Sequence, residues 1–198
     1  MRVDRRQACV AVLALATARQ ARAAFGFDDL MATLAQRKSG EARFAEERFI
    51  SGLDQTLRYT GTLSFSAPDR LERQTLTPRR ESFVVEGNQL TLQRGERVRR
   101  LALDSVPELA AMVAAMRGTL SGDASVLRRH FNATVEGGAA RWTLTLVPLD
   151  QRLLGVVRLL RIDGMQADVR LVELQLADGD RSLTTIEPVA PKARAATP

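Results

Sequence analysis

Between residues 56 and 66 the chain alternates strictly between apolar and polar side chains. Leu57, Tyr59, Gly61, Leu63 and Phe65 fall on one side, and Thr56, Arg58, Thr60, Thr62, Ser64 and Ser66 on the other. A period of two held this long specifies a β-strand with one face buried and the other in water. Gly61 stands in mid-strand, where a missing side chain marks a bulge, a bend or a close approach by another group. Ala67-Pro68-Asp69 then turns the chain, because proline cannot continue a ladder. Residues 70–76 read as a more polar strand ended by Pro78, and residues 82–86 as another. Gly87-Asn88 is a hairpin signal before residues 89–92. The whole predicts an α+β chain, mainly antiparallel β, in which a curved meander has one apolar and one polar face.

The same stretch carries a resemblance. Phe44 with Glu46, then Gly61-Thr62-Leu63, Pro68, Pro78, and Val84-Val85-Glu86-Gly87 followed by Leu90, resembles the LolA family of periplasmic outer-membrane lipoprotein carriers. That family's pattern runs Phe-x-Gln, Gly-x-Leu, Arg-Pro, Pro and Val-x-Asp-Gly-x-x-Leu. The match follows it in order and spacing over most of the chain after the leader. Two positions depart from it: the glutamine is Glu46 here, and the residue before Pro68 is Ala67. The resemblance implies a half-open β-barrel with helices over its concave apolar face. It also implies a non-enzymatic carrier taking lipidated cargo from an inner-membrane donor to an outer-membrane acceptor. The family's arginine is implied to hold the helical lid shut, which Ala67 cannot do by hydrogen bonding. Either another residue replaces it, with Arg70 the nearest, or the lid is held differently.

Met1 to Ala23 reads as a cleavable signal peptide. A basic start with Arg2, Arg5 and Arg6 precedes an uncharged, mostly apolar core over residues 8–18, and Ala21-Arg22-Ala23 fits the small-x-small cleavage rule. The core is about half of the roughly 20 apolar residues that a membrane span needs, so no transmembrane anchor is expected. Removing five arginines and one aspartate takes the formal net charge from +6 to +2, which leaves little motive for nucleic-acid binding. Cys9, the only cysteine, leaves with the leader, and with it disulfide and thiol chemistry. Residues 24–187 are expected to form one domain, and 188–198, rich in Ala and Pro, a disordered tail.

Within that domain, residues 27–34 suit a short helix capped by Asp28 or Asp29 and stopped at Ser39-Gly40, with a first strand over 41–50. Arg94, Arg97, Arg99 and Arg100 suit an anionic-headgroup site or a solvated strand end, and Gly95 and Glu96 among them favour the latter. Residues 104–120 read as a helix, with Asp104 or Ser105 as cap and Pro107 in its first turn. Its Leu109, Met112, Val113 and Met116 share a helical face. Alone, that face describes a core helix; laid against a concave sheet it describes a lid, and methionines suit a surface that repacks around ligands. A short helix follows around residues 124–129. Strands then resume, with a hairpin at Gly137-Gly138 and Trp142, Leu144 and Leu146 on one face. Residues 156–163 fit helix or strand by periodicity, and Asp163-Gly164 favours a strand and tight turn. Residues 169–176 and 181–187 finish the meander.

No nucleophile elbow, Walker loop, dinucleotide fingerprint or metal spacing is present, and His130 is the sole histidine. A non-enzyme without cofactor or metal is therefore expected. Phe44, Leu57, Tyr59, Leu63, Phe65, Phe83, Val85, Leu90, Leu92 and Trp142 are the expected lining of a groove for acyl chains, under a lid carrying Leu109, Met112, Val113 and Met116. A carrier and a lipid-sensing interaction module both fit these features. Export gives the first test: N-terminal sequencing of the mature protein should start at Ala24 or Phe25, and Met1 retained in the cytoplasm would contradict the reading.

Overall fold

The structure, a computed structural model, describes residues 25–189, so the expected leader and residues 190–198 of the expected tail lie outside the described residues. The first six strands are β1 (Ser39–Phe49), β2 (Leu57–Ser66), β3 (Arg70–Thr77), β4 (Glu81–Glu86), β5 (Gln89–Arg94) and β6 (Arg97–Ala102). The last five are β7 (Phe131–Gly138), β8 (Arg141–Pro148), β9 (Val157–Met165), β10 (Asp168–Leu176) and β11 (Arg181–Pro188). Each set is a meander, and β1 pairs with β11 to join the two into one antiparallel sheet, ordered β6-β5-β4-β3-β2-β1-β11-β10-β9-β8-β7. The sheet does not close into a barrel. Helix α1 (Phe27–Leu34) precedes it. A 3₁₀ turn (Leu103–Ser105), α2 (Pro107–Ser121) and α3 (Ala124–His130) connect the meanders, and α4 (Gln151–Leu154) lies between β8 and β9.

Side-chain alternation decides the faces. In β2 Gly61 and Phe65 are buried while Thr60, Thr62 and Ser66 are exposed. In β8 Trp142, Leu144 and Leu146 are buried with outward neighbours between them. The ambiguous run after residue 156 is strand β9: Leu160 pairs with Leu146 and Leu174, and Ile162 with Leu144 and Val172. Long-range pairing on both sides outweighs local periodicity here.

Two hydrophobic cores share the inner face. The larger joins Leu30, Met31 and Leu34 of α1, Ala111 and Ala115 of α2 and Leu127 of α3 to Trp142, Leu144, Leu146, Leu160 and Ile162 of the sheet. The smaller packs Val113 of α2 with Val85, Leu90 and Leu103. Burying one such side chain is worth about 1.5–3 kcal/mol, so α2 is fixed by both cores.

Several local expectations are corrected. Helix α1 begins after Gly26, and Asp29 reaches back to accept from the Gly26 N–H (2.9 Å) instead of serving as the cap residue. β1 starts at Ser39, because Gly40 continues the ladder opposite Phe65. Neither Asp104 nor Ser105 caps α2. Asp104 accepts from the Asn88 amide (2.9 Å) and Ser105 donates to the Ala102 carbonyl (2.6 Å), while Val106 holds the cap position. Gly137 and Gly138 stay in strand β7, paired with Trp142 and Arg141, which moves the hairpin turn to residues 139–140. Gly164 is likewise in strand, opposite Trp142, and the turn falls at Gln166-Ala167, with Gln166 at a left-handed φ of 53°.

Gly164 is in that position because of packing. A Cβ there would run into the Trp142 ring, whose indole N–H donates to the Gln166 carbonyl at 2.8 Å. The largest side chain of the core thus lies across a residue that has none. Gly164→Ala should lower stability by about 1–3 kcal/mol through overpacking, read from the urea unfolding midpoint. An unchanged midpoint would show that the indole yields freely.

Candidate functional site

The sheet's inner face is covered over the two cores and left open between them. There a cleft of about 580 Å³ separates the sheet from α2. Its sheet wall is made by Leu63 and Phe65 of β2, Leu71 of β3 and Phe83 of β4, and, across β1, by Ile186 of β11 and Val172, Leu174 and Leu176 of β10. Met112, Met116 and Leu120 of α2 form the facing wall. The volume and predominantly apolar lining are those of a site for a small hydrophobic ligand.

Nine of the ten expected groove residues divide into four groups, and the tenth, Phe44, is outside the cleft lining. Leu63, Phe65 and Phe83 line the cleft. Val85 and Leu90 are fully buried in the smaller core, with Leu92 packed against it. Trp142 is fully buried in the larger core, inside the sheet–helix layer and away from the cleft lining. Leu57 and Tyr59 lie toward the far end of β2, Leu57 exposed and Tyr59 beneath the Arg48 guanidinium (4.6 Å to its ring centre). The lid face divides in the same way: Met112 and Met116 turn to the cleft, while Leu109 and Val113 turn to the smaller core. The β10 and β11 wall was open to sequence reasoning through the spacing of Val172, Leu174 and Leu176, which alternate like β2.

Phe44 is buried, and beside it lies a charged group in the floor of the cleft. Glu46, two residues on from Phe44 and therefore on the same face, has a side chain only 3% exposed. Its Oε1 accepts from Arg48 Nε at 2.6 Å, and its Oε2 accepts from the Arg73 guanidinium. Arg73 also lies over the Phe44 ring, 4.1 Å from its centre. Gly61 makes this packing possible. It pairs with Phe44, and a Cβ on it would stand 2.8 Å from the ring and collide with the Gln74 carbonyl. Burial acts to lower the Arg48 pKa, but the bond and negative charge of Glu46 outweigh it, and the net shift is upward. The Arg48 guanidinium therefore stays charged beside the cleft.

Helix α2 is tied to the rim by one further arginine. Arg117 donates from a terminal nitrogen to the Asp69 carbonyl, in the turn that holds Ala67-Pro68. Its buried Nε has no acceptor among the described residues, and burial pushes its pKa down against the opposing pull of Asp69. Arg70 points elsewhere, to Glu72 and Glu86 at 3.0 Å each. The cation between helix and β2–β3 turn thus comes from the helix, and the turn supplies a backbone acceptor.

The description "outer membrane lipoprotein carrier protein LolA-like" belongs to the family model that matches residues 18–198, and this chain is a member of that family. Its fold is accordingly of the carrier type that binds lipids or lipoproteins. No curated protein matches the sequence. Among solved structures, a LolA superfamily protein of Nitrosomonas europaea is 10% identical, with 83% of this chain and 92% of that one covered and a TM-score of 0.44. A chain of the Pseudomonas aeruginosa MucA/MucB complex is 17% identical, with 85% and 59% covered and a TM-score of 0.46. LprF of Mycobacterium bovis is 11% identical, with 84% and 94% covered and a TM-score of 0.34. Among the described residues no helix is long and apolar enough to cross a membrane, which says nothing of strands.

Proposed function

We propose that this protein is a periplasmic, non-enzymatic carrier. It is exported by a cleavable signal peptide, holds acyl chains of lipoproteins or related lipids in the cleft, and ferries them toward the outer membrane. One observation carries the reading: a preformed apolar cleft has the sheet as one wall and two methionines of a helix as the other. Each buried CH₂ contributes roughly 0.8 kcal/mol, so an acyl chain needs no specific polar contact to be held. Escape into water is correspondingly slow, and release needs an acceptor or a change in the cleft. Family membership supports the carrier role, with an inner-membrane donor and an outer-membrane acceptor as partners.

Helix α2 is the movable cover in this reading. Met112 and Met116 are half-buried across the cleft from the surface that cargo would use, so closure of the helix onto that surface competes with cargo. Movement of α2 breaks the Arg117–Asp69 bond and exposes Val113, which is why an empty cleft stays covered until a ligand compensates.

Binding and transfer are tested together. Leu63 is a poor site for an introduced charge, since Arg73 lies opposite it and would pair with a carboxylate. Val172→Asp puts an acid among apolar neighbours, and it should weaken binding of a fluorescent fatty acid by about tenfold or more. Thr62→Asp, on the outer face of β2, should bind like the wild type. Loaded wild-type protein should also give up its ligand to acceptor membranes faster than ligand crosses water alone. Equal losses in both folded variants would contradict the cleft as the site, and binding without transfer would favour a sensor over a carrier.

A further inference from the structure

At one point in the floor of the cleft two guanidiniums share a single carboxylate, and among the described residues no second acid bonds to either of them. Glu46 brings one negative charge to two guanidiniums, and both of its oxygens are occupied. Each guanidinium has five N–H donors, and among the described residues Glu46 is the one acceptor recorded for either Arg48 or Arg73. Eight donors and one net positive charge are therefore left on side chains that line the cleft. The two cations are also held in place: Arg73 stacks on Phe44 and Arg48 on Tyr59, and Glu46 pins both. A planar guanidinium fixed in this way matches a carboxylate or phosphate through two parallel hydrogen bonds.

Other charges around the cleft are accounted for locally. Glu72 pairs with Arg70, Arg181 with Glu173, and Arg37 with Asp168. Asp180 accepts from the Ser51 N–H at 2.8 Å in the β10–β11 turn, and Glu41 is exposed at the rim. Only the Glu46 carboxylate of the group is buried; the Arg48 and Arg73 side chains are 43% and 25% exposed and keep free donors open to the cleft. Arg73 of the group stands opposite Leu63 of the cleft wall.

We propose that the ligand is an acyl amphiphile with an anionic head, and that Arg48 and Arg73 receive the head's oxyanion while the chain lies along Phe65, Val172 and Leu174. This rests on the acyl-binding reading and narrows it from any lipid to those ending in a carboxylate or phosphate. A neutral head of equal chain length leaves the surplus charge unpaired and binds more weakly.

The test uses three C12 probes with the full processed protein: laurate, dodecyl phosphate and the neutral monolaurin, each displacing the same fluorescent fatty acid. Wild-type protein should prefer both anions over monolaurin by about tenfold, the worth of one charge-assisted hydrogen bond. Whichever anion binds more tightly identifies the head as carboxylate or phosphate. Arg48→Met keeps apolar bulk and leaves the neutral Glu46–Arg73 pair, so it should abolish the preference while monolaurin binding changes by less than about threefold. Arg48→Lys should restore part of the preference. Equal wild-type affinity for all three probes would overturn the headgroup assignment and leave the acyl-binding reading standing, and this comparison needs no variant. Parallel loss of all three in folded Arg48→Met would also overturn it, by showing a purely structural arginine. If no probe binds, both readings fall.

Discussion

Burying the inner face of an open sheet is the constraint on which everything else here depends. Eleven strands at about 4.8 Å spacing would span roughly 48 Å if laid flat, while the longest helix, 15 residues at about 1.5 Å each, reaches roughly 22 Å. Curvature narrows the gap without closing it. The helices therefore cover two patches, one beneath α1 and α3 and one beneath the start of α2, and the surface between them remains a cleft. A closed barrel would have no such surplus of apolar surface, and a larger helical layer would fill it with side chains. The cleft is what remains when a wide sheet meets a small set of helices.

The charged group in the cleft floor shows how strand register places chemistry. Arg73 sits opposite Leu63, two same-face rows away from Glu46, and reaches the acid by crossing the face of Phe44 in the row between. The crossing exists because Gly61, the partner of Phe44, puts no side chain in the way. One glycine in β2 thus sets the contact between β1 and β3. It also fixes two cations where an apolar floor would otherwise be continuous.

Much of the fold was legible in the sequence because its strands alternate. Thr60, Thr62 and Ser66 against Gly61 and Phe65 define the faces of β2, and the spacing of Trp142, Leu144 and Leu146 does the same for β8. The turns were less legible where a glycine served packing in place of chain reversal. Gly137 and Gly164 look like turn residues, yet Gly164 lies in strand because Trp142 needs the room. The lining of the cleft was legible only in part. Leu63, Phe65, Phe83, Met112 and Met116 follow from period and face, but Trp142 and Val85 have the same periodicity and are sealed beneath helices. Nothing local distinguishes a covered apolar position from an uncovered one. The group of Glu46, Arg48 and Arg73 was visible only as an acid where the family has glutamine, because its contacts join residues 27 apart in sequence. The helix-borne tether was hidden for the same reason, since Arg117 and Asp69 are 48 residues apart.

The central claim is that an amphiphile occupies the cleft between the sheet and α2. Native mass spectrometry of the mature protein, purified from periplasm without detergent, measures this directly. The account predicts a population heavier than the bare chain by one acyl-containing molecule, released on gentle activation and absent from Val172→Asp prepared in the same way. A single species at the mass of the bare chain, unchanged after incubation with fatty acid, would contradict it.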